Sequence, residues 1–488
     1  MNTSQNTIHS TTSRWLWCTL GLVTLARLLT LGMYPLADTT EGRYGEVARK
    51  MAELGNWVTP FYDYGVPFWA KPPLTTWLSA ISIRLLGVNE FAVRLPYLLL
   101  AVLIAALLWR WVKRTSERQA QLAVAIMTGS VLYFVASSAV MTDLGLVLGT
   151  TLGMIGFWAA FEEGDSAKPG EVWLLFMGLG VGLLAKGPIA VVLSALPIGL
   201  WALLTGNVKN TWQRVPWFRG GLLTLAIAAP WYVMAEIRTP GFWEYFFIGE
   251  HWNRFTVTGW AGDKYGTAHA TQHGAIWLFA LAAVLPWTVL LPLLWIGRRP
   301  TKTLQSLERP GYSRSLTIYL LAWAAASCLF FTMSGNILWT YVLPSLPAMA
   351  LLAARWLCGD ARVRWVNGVV AAGVLVMSML VAGFFVRQDM ADSWKSAKTV
   401  VLAHQARSAN KQPLIFLGDL PYSAAFYSNG KAKVLPGNAE LEQKMLTAPV
   451  FVALNPAQVE ALPPELLPKL KLELSTGAYK LYSTAPLQ

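Results

Sequence analysis

Little of this chain is charged and almost none of it is cysteine. Asp, Glu, Lys and Arg make up 13% of its 488 residues and 55% are hydrophobic, which excludes an ordinary soluble domain and a disordered chain alike. Cys18, Cys328 and Cys358 lie in or beside apolar runs without metal-like spacing, so a disulfide framework and a zinc site are excluded and packing is the role left to them. The first apolar run follows Arg14 with no small-residue cleavage pattern after it, and reads as a retained helix rather than a signal peptide. Heptads, low-complexity tracts and a short internal repeat are missing too. The net charge of +13 is the one excess, and in so apolar a chain it records topology and attraction to anionic headgroups rather than nucleic-acid binding. What remains is a polytopic membrane protein.

Crossing about 30 Å of hydrocarbon takes roughly 20 apolar residues. Such runs fall near 15–36, 92–112, 119–138, 144–161, 172–189, 187–205, 217–235, 274–296, 315–332, 338–357 and 364–386. The count is about eleven helices, an odd number, so the termini lie on opposite sides. Basic residues collect at Arg110/Lys113/Arg114/Arg118, Lys209/Arg214/Arg219, Arg298/Arg299/Lys302/Arg309/Arg314 and Arg355/Arg362/Arg364, all on one face together with Arg14, and that face is cytoplasmic. The opposite loops, 37–91, 236–273 and 334–340, are aromatic and carry both signs of charge. Within the first of them, 45–54 and 74–86 have the helical spacing of segments lying in the interface plane. From about 387 the membrane character is lost, and 414–418, 450–454 and 478–482 read as short strands among polar helical stretches. The expected architecture is an α-helical membrane domain over 1–386, with 37–91 as its outer catalytic loop, closed by a small outer α/β domain over 387–488.

Charges beside a bilayer are costly, so they mark candidate chemistry. Asp38-Thr39-Thr40-Glu41-Gly42-Arg43-Tyr44 follows the first helix directly. A carboxylate fixed there could accept a proton from a hydroxyl, with Arg43 orienting it; the alternative is a helix start in which Asp38 or Thr39 caps and Glu41 pairs with Arg43. Lys71, stiffened by Pro72-Pro73, could bind a lipid phosphate or simply snorkel. Asp143 has no charged neighbour in sequence and ends the third run, as a functional acid or a cap. Lys186 is the lone charge in a long apolar stretch, and Gly187-Pro188 breaks the helix beside it. In Glu250-His251-Trp252-Asn253-Arg254-Phe255, Arg254 could hold a phosphate bidentately, and His251 could donate to it or ligate a metal, although one histidine more often simply hydrogen-bonds. Tyr341 could donate a hydroxyl to the same anion or serve as an interface anchor. All fall on the outer side. One acid and several cations are what sugar transfer from a polyprenyl phosphate to a hydroxyl or phosphate would need.

The order of these motifs resembles the bacterial membrane glycosyltransferases of the GT-C class, in particular the 4-amino-4-deoxy-L-arabinose lipid A transferases, distantly akin to protein O-mannosyltransferases. The matching pieces are Glu41-x-Arg43-Tyr44-x-Glu46-x-Ala48-Arg49-x-Met51, Gly55-Asn56-Trp57-Val58-x-Pro60, Lys71-Pro72, Phe91-Ala92-Val93-Arg94, Lys186-Gly187, Glu250-His251-x-x-Arg254-Phe255 and Ser334-Gly335-x-x-x-x-Thr340-Tyr341-x-Leu343-Pro344. The resemblance runs to about residue 357. It implies a bacterial inner-membrane enzyme with a cytoplasmic N-terminus and periplasmic active site, using an undecaprenyl-phosphate-linked sugar without nucleotide sugar, and inverting the anomeric centre. By position it implies Asp38 or Glu41 as base and Asp143 as a residue placing the acceptor. Lys71, Arg254, Tyr341, Lys186 and Arg43 would surround the donor phosphate, with His251 and Glu250 as auxiliaries. Two departures stand out. Lipid A transferases carry an Asp-Glu pair where this chain has Thr40-Glu41, which leaves Asp38 as the favoured base and Glu41 as its competitor. Some relatives have an acid where this chain has Ala70, which weakens a divalent-cation site built on His251.

The expected function is transfer of a sugar, an aminoarabinose-like pentose by the resemblance, from undecaprenyl phosphate to lipid A or another periplasmic acceptor. Two alternatives keep their place: the same chemistry on an O-antigen or core glycan or on a protein, and a lipid-linked sugar transporter or flippase. Against transport, no paired repeat is detectable and the polar residues concentrate at one edge rather than the midplane.

Overall fold

In a computed structural model, the structure describes residues 3–161, 169–267, 269–296, 310–390, 396–408 and 412–484. The cationic cluster at Arg298, Arg299, Lys302 and Arg309 lies outside the described residues. Among the described residues, five helices are long and apolar enough to cross a membrane: Glu90–Val112, Trp217–Arg238, Arg314–Phe331, Trp339–Cys358 and Val363–Phe385. The pair Ile276–Ala283 and Trp287–Trp295, bent by 74°, makes six if it is one span. The protein is thus a multi-pass membrane protein, and several expected spans are shorter helices. The run 119–138 breaks at Gly129-Ser130 into Glu117–Thr128 and Val131–Ala136. The joined runs over 172–205 resolve into Trp173–Lys186 and Ile189–Leu204, parted where Gly187 takes φ +84° ahead of Pro188. Apolarity did not reveal the break at Gly129-Ser130, because the flanking residues stay hydrophobic on both sides, whereas Gly187-Pro188 marked the other break in the sequence.

The chain forms two compact units, one of Met1–Leu28, Pro67–Thr75 and Tyr97–Val381, the other of Leu29–Val66, Thr76–Pro96 and Ala382–Gln488. In the first, the helices Asp143–Ala159 and Trp173–Lys186 pack as an antiparallel hairpin. Glycines let their backbones meet: a Cβ on Gly149 would fall 2.7 Å from the Gly178 carbonyl, and one on Gly156 would fall 2.2 Å from the Leu175 nitrogen. This packing brings the first residue of one helix, Asp143, to the last residue of the other, Lys186.

The segments expected in the interface plane are the helices Thr40–Leu54, in the second unit, and Leu74–Leu86, which belongs to that unit from Thr76 on. Thr40–Leu54 is buried along most of its length and carries an ion-pair network. Arg49 holds Glu46 at 2.7 Å and Glu53 at 2.8 Å, and Lys50 donates to the Tyr62 carbonyl at 2.8 Å and to Asp63 at 3.2 Å. The partners Tyr62 and Asp63 belong to β1 (Phe61–Asp63), which pairs with β2 (Val66–Pro67).

The same unit holds a five-stranded sheet of β3 (Leu414–Leu417), β4 (Lys433–Leu435), β5 (Phe451–Leu454), β6 (Leu470–Ser475) and β7 (Lys480–Thr484), ordered β4-β3-β5-β7-β6. β3 lies parallel to β4 and β5, with Ile415 opposite Lys433 and Val452, while β7 runs antiparallel to β5 and β6. Alternation sends Ile415, Leu417 and Val452 to one core with Leu441 and Met445, and Leu414, Phe416 and Phe451 to another with Val400 and Val401. Central β3 and β5, buried throughout, were visible in the sequence as apolar runs, and β7 was found within two residues; the edge strands β4 and β6 were not, because exposure leaves them polar.

Candidate active site

Lys71, Lys186, Arg254 and Tyr341, four of the residues expected at a phosphate, line one cavity of about 440 Å³ in the first unit. Lys71 is placed by the segment before it: the Trp69 N–H donates to the Tyr265 hydroxyl at 3.1 Å, which in turn donates to the Pro67 carbonyl at 2.8 Å. From there its ammonium donates to Glu250 at 2.7 Å. Glu250 lies on Glu244–Asn253, a helix wound in the wide π form. Arg254, one turn on, reaches the same carboxylate at 3.1 and 3.3 Å and Asp263 at 3.1 Å. The Glu250 side chain is 1% exposed. Burial pulls its pKa up, but Lys71 and Arg254 outweigh that and hold the carboxyl down at about 2.

At another wall, Lys186 donates to Asp143 at 2.7 Å and its ammonium sits 4.5 Å from the centre of the Tyr341 ring. Asp143 therefore has a charged partner that its sequence neighbourhood did not reveal. Next to the pair, His251 Nδ1 donates to the Phe246 carbonyl at 2.7 Å, and Nε2 faces the Lys186 carbonyl at 3.3 Å. Burial pushes its imidazole below the ordinary value, toward the neutral form. Gly187 is the only residue type that fits here: besides its positive φ, a Cβ would fall 2.7 Å from the Phe246 ring and 2.9 Å from His251 Nε2. This donor set does not fit a divalent cation, since both His251 nitrogens face carbonyls and Ala70 offers no ligand. Among the described residues, no three of His, Cys, Asp and Glu cluster as metal ligands.

The charges of this cluster balance, with Lys71, Arg254 and Lys186 facing Glu250, Asp263 and Asp143. The same cavity is also lined by the apolar Ile189, Val192, Phe247, Phe255 and Phe330. A cavity that sets cations among apolar walls suits an amphiphile with an anionic head. Asp263 and Asn336 had not been singled out. Asn336 donates to the Arg254 and Val257 carbonyls at 2.6 Å each and accepts the Gly259 N–H at 2.8 Å, fixing the turn after Arg254. Asn336 acts across 77 to 82 residues, and Asp263 meets Arg254 nine residues away through the turn between them, so no helical or strand spacing signals either residue.

The second unit brings together the acids of the first loop. Glu41 is not paired as its sequence neighbourhood suggested. Its carboxylate takes a two-pronged salt bridge from Arg94, at 3.1 and 2.8 Å, and Arg94 also donates to the carbonyls of Leu31, Tyr34 and Pro35. Arg94 is fully buried, so Glu41 serves as its counter-ion and latches the loop onto Glu90–Val112. Asp38 is half-buried and accepts from both the N–H and the hydroxyl of Ser423. Burial pushes its carboxyl up to about 6, with the Ser423 bonds working the other way. Thr39 stands at the helix start without capping through its side chain. Arg43 lies in this unit too, its guanidinium 5.3 Å from the centre of the Tyr44 ring.

The profile of the dolichyl-phosphate-mannose-protein mannosyltransferase family matches residues 17–246. Curated relatives include the undecaprenyl phosphate-alpha-4-amino-4-deoxy-L-arabinose arabinosyl transferase of Pseudomonas savastanoi pv. phaseolicola, 32% identical over 374 residues, covering 73% of this chain and 64% of that one. The protein of the same name from Erwinia tasmaniensis is 31% identical, covering 67% and 56%. The chain thus spans less than two thirds of the length of these relatives. Among solved structures, ArnT from Cupriavidus metallidurans bound to undecaprenyl phosphate shares the fold, with a TM-score of 0.80 at 18% identity over 97% of this chain and 100% of that one.

Proposed function

The chain belongs to the family of the 4-amino-4-deoxy-L-arabinose arabinosyl transferases, and from that premise we propose that it transfers a sugar from undecaprenyl phosphate to lipid A or a like acceptor at the periplasmic face of the inner membrane. The observation that carries this reading is the cavity lined by Lys71, Lys186, Arg254 and Tyr341 together with apolar side chains. The phosphate of the donor exchanges with Glu250 and Asp143 for these cations, and the prenyl chain follows the apolar walls. The acceptor oxygen attacks the anomeric carbon as the bond from that carbon to the phosphate oxygen breaks, inverting the centre. The cations stabilise the departing phosphate, and are worth more in a partly dry site than in water.

Asp38 is the base that takes the acceptor proton. Its carboxyl near 6 is ionised at neutral pH yet basic enough to accept. Glu41, committed to Arg94, holds the loop. Asp143 orients Lys186, while Arg43 stays with the first loop. In this reading the shorter apolar helices complete about eleven crossings, the N-terminus is cytoplasmic and the domain over 387–488 is periplasmic. The test is incubation of the purified protein with polyprenyl-phosphate-linked aminoarabinose and lipid A, followed by mass spectrometry. A pentose-sized increase in lipid A supports the proposal, an increase only in a glycan or protein changes the acceptor, and no product with any polyprenyl-linked donor overturns it.

A further inference from the structure

The carboxylate of Asp38 is held from the far end of the sequence. Its Oδ1 accepts the Ser423 N–H at 2.9 Å and its Oδ2 accepts the Ser423 hydroxyl. Ser423 is fully buried, and its oxygen also accepts the Ala397 N–H at 2.9 Å. With that lone pair engaged, the hydroxyl proton is directed at Asp38. Gly42 makes the meeting sterically feasible, because a Cβ there would lie 2.5 Å from Asp38 Oδ1 and 3.1 Å from the Ser423 nitrogen. Beside it Tyr422 packs edge-on against Tyr62, their hydroxyls 2.5 Å apart, which fixes the backbone leading into Ser423.

We propose that Ser423 is a positioning residue of the transfer reaction: it locks the rotamer of Asp38 and favours its ionised form, so the C-terminal α/β region takes part in the chemistry. The inference rests on Asp38 being the base. Two donors aimed at a carboxylate stabilise its charge and leave its remaining lone pairs for the acceptor proton. Among the described residues, the other titratable and charged groups about Asp38 are Tyr422 and Tyr479 from the C-terminal region, Tyr62 bonded to Tyr422, and Glu41 and Arg43 from its own segment. Burial pushes the Tyr422 and Tyr479 phenols above their ordinary value, so neither titrates near neutrality, and Glu41 is salt-bridged to Arg94.

The experiment is the pH profile of turnover for the full-length protein in detergent, with a polyprenyl-phosphate sugar donor, for wild type, Asp38→Asn, Ser423→Ala, Ser423→Thr and Gly42→Ala, with thermal unfolding as a control. Ser423→Ala removes a donor to the carboxylate and should move the acidic limb up by roughly one pH unit, which is about a five-fold loss at pH 6 and little loss at pH 8. Ser423→Thr, which keeps the hydroxyl, should restore the limb. Gly42→Ala, which pries the pair apart with every donor in place, should shift it the same way. If Asp38→Asn abolishes turnover while folded Ser423→Ala and Gly42→Ala keep the wild-type limb, or lose turnover equally at every pH, the positioning role is overturned and the base survives. Failure of both to fold would make Ser423 a folding residue and overturn the role as well. Retained turnover in Asp38→Asn would instead remove the base assignment itself.

Discussion

Glu250→Gln tests whether the cavity is a phosphate site. The side chain is 1% exposed and sits between Lys71 at 2.7 Å and Arg254 at 3.1 Å, so the amide keeps the shape but takes the carboxylate from Lys71 and leaves Arg254 to Asp263. Two routes give the cost. Removing one member of a buried pair destabilises by roughly 3–5 kcal/mol, because a charge is left uncompensated. The carboxyl, held from 4.5 down to about 2, gives about 3 kcal/mol by linkage. The sign is that of a depressed acid: the stabilisation is present above pH 4.5 and lost as pH falls through about 2. Thermal unfolding in detergent at pH 7 should therefore show Glu250→Gln melting several degrees below wild type, with the gap closing toward pH 2. Undecaprenyl phosphate should then raise the variant's midpoint more than that of wild type, since its phosphate replaces the missing carboxylate opposite Lys71 and Arg254. A variant as stable as wild type, or equal stabilisation of both by the lipid, would refute the assignment.

Asp38→Asn should reduce turnover by about 100-fold or more while leaving donor affinity within a few-fold, read as kcat against KM for the donor. For the wild type, kcat should rise with pH through about 6, because the base acts only when deprotonated; a flat profile between pH 5 and 8 would contradict it. A double-mutant cycle on Asp143→Asn and Lys186→Met should show a coupling of roughly 1–3 kcal/mol in unfolding stability, since the two meet at 2.7 Å in a partly buried site; additivity would break the pairing. Gly335→Ala should destabilise the protein by roughly 1–3 kcal/mol in thermal unfolding, because its Cβ would fall 2.1 Å from Thr258 Oγ1; a neutral effect would mean that the contact relaxes freely.

The sequence alone determined the membrane class and the central strands of the C-terminal sheet, because apolar length and alternation are local properties of a chain. It also named the cations of the cavity, since a lone charge among apolar residues stands out wherever the fold carries it. Only tertiary structure decided what each charge does. Glu41 could not be matched to Arg94, Asp143 to Lys186 or Lys71 to Glu250 from spacing, because each pair spans 43 to 179 residues. The choice between Asp38 and Glu41 was open for the same reason. Their sequence surroundings are nearly the same, whereas their partners, a neutral serine for one and a buried arginine for the other, come from distant segments and set the two carboxylates apart by burial and charge.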